Sequence, residues 1–301
     1  MRIGVSLSSS ITADGPVDAA RFLIERAQVA DRAGLDSLSL GDQHATSAPY
    51  QQNTPMLGRL LAEWGPRPVG CLFLLPLWHP VLVAEHVGTL AALTDAPFIV
   101  QTGIGYGEHQ FAAMNADHST RGRVLEESIR VVKALLAGED VDSELVGGPV
   151  RLGLRPHQTV EWWIGGGPAP AAIERAARLG DAWYGSPALA PEAAAGQLDR
   201  YVAACAANDR TPRPIVRKDV LVLGDGDRAR SVGQRLIEAG YRGLGPDELI
   251  IGDPEDAAEQ LAPFAEMGFT DVICRCMAND QDIALETLEH LAEVRRLLAR
   301  A

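Results

Sequence analysis

VEWWIGGGPAPAAIERAARLGDAWYG, running from Val160 to Gly185, is the stretch whose reading decides the fold. Val160 to Ile164 is a short apolar run, three glycines follow, Ala171 to Leu179 is strongly helix-forming, and Asp181-Ala-Trp-Tyr begins a second apolar run. The order is strand, glycine turn, helix, strand. Pro168 and Pro170 suit the first turn of a helix, where a missing N–H leaves no bond unmade, and Gly180 is placed to close that helix in the left-handed conformation. A glycine loop opening a helix gathers free N–H groups at the positive end of the helix dipole. Gly165, Gly166 and Gly167 are therefore a candidate anion seat, for a phosphate above all. The same residues also serve as a plain βα turn, which is common.

Outward from this stretch the alternation repeats. Strands are predicted at Arg2–Leu7, Asp36–Leu40, Val69–Leu75, Phe98–Gly103, Val160–Ile164, Ala182–Tyr184, Ile215–Leu223 and Thr270–Cys276. Helices are predicted at Pro16–Ala33, Pro55–Trp64, Pro80–Leu93, Thr120–Leu136, Pro191–Ala207, Arg228–Ala239, Pro254–Met267 and Asp282–Ala299, with Gly34 and Gly138 as stops. Val69 to Leu75 is continuously apolar, as a parallel strand covered on both faces should be. Eight strands alternating with helices predict an α/β fold, a (β/α)8 TIM barrel forming one domain over residues 1–301, with insertions at its C-terminal rim. Glu139–Gln158 has no helical period and contains Gly147-Gly148-Pro149, so it reads as an inserted excursion with a β-ribbon as its expected form. Glu248–Ile251 is a brief extended piece.

Composition removes several classes of function. With 301 residues, 47 % of them hydrophobic, the chain can bury a large core. A net charge of −13 argues against nucleic acid and anionic membrane as partners, leaving only local basic pockets to hold anions. MRIGVSLSSS lacks the apolar core of a signal peptide and no apolar run approaches a membrane span, so a soluble, cytoplasmic protein is expected. Cys71, Cys205, Cys274 and Cys276 form no zinc pattern and read as reduced, mostly buried thiols.

In such barrels the chemistry lies at the C-terminal ends of the strands. Those ends carry Asp42, Gln43 and His44; Trp78 and His79; Gly103, Gly105 and His109; the glycine turn; and Arg275. The only two lysines, Lys133 and Lys218, lie inside a helix and a strand, which gives a Schiff base little support. Asp42, His44, His79 and His109 share the rim but not ligand spacing, so no metal is expected, and no serine elbow is present. What remains, glycines and aromatic residues around an anion seat, suits a flat phosphorylated organic cofactor. Arg121 is expected to pair with a carboxylate such as Glu126 or Glu127, and the register of Arg217 and Arg275 is open.

Four blocks in order, AGLDSLSLGDQH (Ala33–His44), LLPLWHPVLVAEHVGTLAAL (Leu74–Leu93) with FIVQTGIGYGEHQF after it, RGRVLEESIRVVKALL (Arg121–Leu136) and WWIGGGPAPAAIERAARLGDAWY, resemble the bacterial luciferase-like monooxygenases. That resemblance implies an oxidoreductase using reduced flavin mononucleotide (FMN) or the deazaflavin coenzyme F-420. Its substrate would be a small organic molecule, oxygenated in the first case and exchanging a hydride in the second. It implies the cofactor phosphate at Gly166, Gly167 and the segment reaching Asp181, Ala182 and Trp183, and the ring against the third and fourth strands, near Cys71, Leu72, Gly103 and Gly105. Family members often have a cis peptide in the third strand, at Cys71–Leu72 by position. Substrate would enter between Tyr50, Trp78, His109 and the Glu139–Gln158 excursion, with Arg275 as a cation at the mouth. A homodimer, and a separate reductase supplying reduced cofactor, are further expectations. A non-catalytic flavin-binding protein on the same scaffold and, more weakly, a metal-dependent barrel hydrolase are the rival readings.

Two departures bear on mechanism. The family's Asp-His or Glu-His pair after the second strand reads Asp42-Gln43 here, with His44 one place later, and glutamine cannot act as a general base. The arginine that often holds flavin phosphate after the fourth strand is replaced by Gly103-Ile104-Gly105.

Overall fold

The structure, a computed structural model, describes residues 1–11 and 13–299. Its strands are β1 (Arg2–Leu7), β2 (Ser37–Leu40), β3 (Val69–Leu74), β4 (Phe98–Gly103), β5 (Val160–Gly166), β6 (Ala182–Gly185), β7 (Pro214–Val222), β8 (Leu249–Gly252) and β9 (Asp271–Cys276). Between and around them run α1 (Pro16–Arg32), α2 (Asn53–Leu60), α3 (Pro80–Ala91), α4 (Glu108–Ala113), α5 (Arg121–Ala137), α6 (Pro170–Leu179), α7 (Pro191–Ala206), α8 (Gly226–Glu238), α9 (Pro254–Glu266) and α10 (Gln281–Leu298). β1 to β7 pair in sequence order, all parallel, and β9 joins β7 to β1, which closes an eight-stranded (β/α)8 barrel.

β8, the brief extended piece, lies outside that circle. β7 pairs with β6 through Pro214–Val216 and with β8 through Asp219–Val222. Between the two partners stands Lys218, fully buried. Its Nζ donates to the carbonyls of Leu189 (2.6 Å) and Glu248 (3.1 Å), one on either side of the change of partner. The strand ladder cannot serve these carbonyls, and an unpaired buried carbonyl costs about 1–3 kcal/mol. Burial pulls the Lys218 ammonium down to about 8. α8 and β8 thus form a rim insertion on the upper half of β7.

The helices dock as their periodicity dictates. Leu125, Ile129, Val132 and Leu136 of α5 are buried along one stripe, and Gly138 ends the helix at φ 76°. Truncating such a residue, Ile129→Ala for example, costs about 2–5 kcal/mol. Inside the barrel, Ile99, Trp163, Ala182, Tyr184, Ile215 and Ile273 form one buried cluster. Small residues meet on the neighbouring strands, where a Cβ on Gly4 would strike Ser37 Oγ and Ile273. The lower barrel is solid and the upper end is open.

Expectations for Gly180 and for the 139–158 excursion are corrected, and the Cys71–Leu72 peptide, left open by the sequence, is trans. Gly180 is extended (φ −99°, ψ 164°) rather than left-handed, because its N–H bonds Ala176 and the chain turns straight into β6. The 139–158 ribbon is reduced to one antiparallel bridge, Val141 with Val150. That excursion also lies in a helix-to-strand connection, between α5 and β5, which in a parallel barrel runs at the N-terminal end of the strands, away from the site. All peptide bonds among the described residues are trans, Cys71–Leu72 included. The four cysteines are free and buried. No described helix is long and apolar enough to cross a membrane.

Candidate active site

A cavity of about 520 Å³ opens at the C-terminal ends of the strands. β1 and the chain after it contribute Ser6 to Ser10, the end of β2 Gly41, Asp42 and Gln43, and β3 Leu72 and Leu74. The segment after β4 contributes Gly105 to Gly107 and Gln110, and β7 and β9 contribute Arg217 and Arg275. Tyr50 and Arg242 complete the wall. The period of two along a strand explains the membership: Leu72 and Leu74 face in while buried Cys71 and Phe73 face the helices. It also sets the register left open on β7, with Arg217 turned into the mouth and Lys218 outward.

On the β2–β3 side, buried Asp42 is the organising group. Its Oδ2 accepts from Leu74 N–H and from Trp78 Nε1, both at 2.7 Å. His44 Nε2 lies 3.2 Å from Asp42 Oδ1, but off the line a hydrogen bond requires, so the contact is one of proximity only. The His44 ring packs edge-on against Trp78, 5.2 Å between centroids, and its carbonyl accepts from Gln110 Nε2. Gln43 lines the cavity and His44 does not. Burial, reinforced by the Asp42 charge, pushes the Tyr50 phenol well above its ordinary value, so Tyr50 is a protonated donor at neutral pH.

The β7–β9 side is charged. Fully buried Asp219 accepts from Arg217 Nη2 (3.1 Å), Arg242 Nη1 (2.8 Å), Arg275 Nη1 (3.3 Å) and the Tyr241 hydroxyl (2.8 Å). Arg275 also donates to Ser8 Oγ and the Tyr241 hydroxyl, both at 3.0 Å. Burial works to raise the Asp219 carboxyl, but Arg217, Arg275 and Arg242 hold it below the usual carboxylate range. Arg242 arrives on the turn between α8 and β8 with φ 48°, ψ 14°, a left-handed conformation for a non-glycine residue between Gly240 and Gly243. Such a conformation costs about 1–3 kcal/mol and persists where surrounding contacts impose it.

The remaining expected residues lie elsewhere. Gly103, Gly165, Gly166 and Gly167 do not line the cavity. In the turn, a Cβ on Gly166 would come 2.8 Å from Trp183 Nε1, which itself donates to the Gly166 carbonyl (3.0 Å), whereas Gly167 has open space around it. The first turn of α6 has no side-chain cap. Trp183 therefore braces the turn from behind. Asp181 and Ala182 stand at the start of β6, the end of the strand away from the mouth. There Asp181 accepts from Trp162 N–H and pairs with Arg210, so neither residue can reach a cofactor at the rim. His109 is exposed and outside the cavity, where Gln110 turns in instead. Trp78 stands behind Asp42. Arg121 bonds the His118 carbonyl at 2.6 Å, because Glu126 is taken by Arg175 and Arg178 and Glu127 by Arg130. Among the described residues no three His, Cys, Asp or Glu side chains are grouped to hold a metal ion.

Sequence reading missed Asp219, Tyr241, Arg242 and the serines after β1. Alternation along IVRKDVLV was the available signal for Asp219, once Arg217 was placed inward. Nothing local marks Tyr241 or Arg242.

A family profile described as luciferase-like monooxygenase matches residues 1–271. The F420-dependent glucose-6-phosphate dehydrogenase of Kribbella flavida is 22 % identical over 324 aligned positions, covering 94 % of this chain and 95 % of that protein. Two solved structures share the fold. The oxygenating constituent of 3,6-diketocamphane monooxygenase from Pseudomonas putida, in complex with FMN, superposes with a TM-score of 0.83 at 15 % identity over 99 % of this chain and 98 % of that one. An F420-dependent secondary alcohol dehydrogenase holding an F420–acetone adduct gives 0.79 at 17 % identity, over 97 % and 98 %.

Proposed function

The chain belongs to the luciferase-like monooxygenase family, and on that premise we propose that it is an oxidoreductase taking coenzyme F-420 and exchanging a hydride with a small organic substrate. The missing cation after β4 carries this reading, since Gly103-Ile104-Gly105 stands where the family often holds the FMN phosphate. Serines, Gln43, Gln110 and three arginines place polar groups around a wall whose larger exposed share is apolar, with Leu72 and Leu74 as a strip on β3.

The residues present fit such a cofactor. The volume falls within the roughly 300–1,000 Å³ of ligand sites, and Leu72 and Leu74 offer a flat apolar strip for a ring. Gly105, at φ 74°, brings backbone to the cavity where a Cβ would strike Phe111. Gly167 and the uncapped start of α6 would hold the phosphate. When bound, F-420 supplies hydride chemistry. The chain's own part is to orient the substrate through Gln43 and Tyr50, both able to donate hydrogen bonds to a carbonyl or hydroxyl oxygen. Gln43 cannot take a proton.

Gln43 in the cavity-facing place also favours a second reading, a flavin-binding protein without catalysis. Titration of the purified protein with F-420 and with FMN, followed by ring fluorescence, then turnover with reduced and oxidised cofactor, separates these. F-420 is expected to bind with a Kd well below millimolar and to support oxygen-independent turnover. Oxygen-dependent turnover with FMN overturns the choice of cofactor, binding without turnover leaves the second reading, and failure of both cofactors to bind removes both.

A further inference from the structure

Three guanidiniums surround one carboxylate at the mouth, an excess of two positive charges in a chain whose net charge is −13. A single arginine would satisfy Asp219. Asp219 is fully buried, Arg217 and Arg275 are half-buried and Arg242 stands exposed at the rim, and gathering further like charges around one carboxylate is unfavourable unless something of opposite charge joins them. The other carboxylate of the cavity, Asp42, lies on the β2–β3 side, where its Oδ2 accepts from Leu74 and Trp78, and none of the three arginines bonds it. Donors remain unused as well: Arg217 Nε is buried with no partner, and so is the hydroxyl of Ser9, which lines the same cavity. Arg242 is held in place by a strained backbone, on a rim insertion that the barrel does not need in order to close.

We propose that Arg217, Arg242 and Arg275 form a subsite for an oxyanion of the substrate, so that the protein acts on a small organic acid or phosphate monoester. Guanidiniums present paired N–H donors matched to carboxylate, sulfonate or phosphate, and several converging on one point recognise such a group by geometry as well as charge. The acidic end of the substrate sits between β7 and β9, and its oxidisable carbon reaches toward Leu72 and Leu74. That the oxyanion belongs to the substrate rests on the cofactor reading above. An acidic group of the cofactor itself would share the chemistry, and the test separates the two.

Calorimetric titration of the whole apoprotein with inorganic phosphate and with sulfate, at constant ionic strength in chloride, reads the subsite without turnover. Saturable binding of either oxyanion is expected. Arg242→Gln should weaken it by roughly tenfold or more, as loss of a charge-assisted contact does. The titration repeated on F-420-saturated protein should give an unchanged phosphate affinity. No saturable oxyanion binding, or unchanged affinity in Arg242→Gln, overturns the subsite. Displacement of phosphate by F-420 overturns its assignment to the substrate. Should Arg242→Gln fail to fold, Arg275→Lys keeps the charge but loses the fork, and the same weakening is required of it. Phosphate binding with no cofactor binding sinks the function proposed above but not the anion subsite, so the two failures are distinct.

Discussion

The two sides of the mouth are built on different physics. On the β2–β3 side one buried carboxylate, Asp42, accepts from a backbone N–H and an indole N–H through Oδ2, its Oδ1 has no hydrogen bond, and the wall beside it is apolar. On the β7–β9 side one buried carboxylate, Asp219, is outnumbered by three arginines. The first arrangement meets its carboxylate with neutral N–H donors, on one oxygen only. The second is electrostatically unfinished. A site with one wall of neutral donors and apolar side chains and one wall rich in cations has a place for a neutral ring and a place for a charged end, and the difference assigns the two.

The largest effect should come from removing the carboxylate the arginines share. Asp219→Ala leaves three cations without their common partner and is expected to cost about 3–5 kcal/mol in urea unfolding. Phosphate should raise the unfolding midpoint of this variant more than that of the wild type. Because the Asp219 carboxyl is held below its ordinary range, its stabilisation is complete at neutral pH and is lost as pH falls through the depressed folded-state value. The variant should accordingly lose part of the wild type's acid sensitivity below about pH 4. A mild Asp219→Ala phenotype would mean the two walls are alike.

Gly167→Asp comes next. With open space around Gly167, the fold should be unaffected while cofactor affinity falls roughly 10- to 100-fold, read by ring fluorescence beside a thermal melt. Gly166→Asp confounds the two readouts, since its Cβ meets Trp183 and stability should fall as well. Equal affinity in Gly167→Asp would remove the phosphate from this turn.

A smaller change is expected from Gln43→His, which places an imidazole on the β2–β3 wall. The pH profile of kcat/KM should gain a limb near about 6.5, which the wild type lacks at this position. A wild-type limb abolished by His44→Gln would show instead that His44 reaches the reacting atoms. The smallest effect belongs to the outer surface. Arg228→Gln breaks a half-exposed pair with Glu286 (2.7 Å) and should cost less than about 1 kcal/mol in the same urea experiment. A loss as large as that of Asp219→Ala would undo the claim that burial sets the arginine side apart.

Most of the fold was legible because its signals are local. Apolar runs, proline at helix starts, and Gly34 and Gly138 at helix ends depend on neighbours a few residues away, and all eight barrel strands stand where those signals put them. β8 was visible as an extended piece but not as a partner of β7, because the switch from β6 to β8 depends on where Lys218 finds its carbonyls. The site was less legible. Asp42, Gln43, Tyr50, Leu72, Gly105 and Arg275 line the cavity. His109 and Trp78 do not, because one residue of loop geometry decides which side of a turn a side chain takes. Asp181 and Ala182 were assigned to the wrong end of their strand, since a helix-to-strand turn and a strand-to-helix turn look alike in composition but lie at opposite ends of a barrel.

By itself the sequence determined the alternation of strand and helix, the closure it implies, and the end of the barrel where chemistry would be found. These follow from periodicity, which each element carries alone. Only the tertiary structure decided that Gln43 and not His44 faces the mouth, and that Arg275 meets Asp219 across 56 positions of chain while a strained turn brings Arg242 to the same carboxylate. Charges so far apart in sequence have no local relation to one another. Their convergence exists only once β7 and β9 are paired and the rim insertion is folded over them.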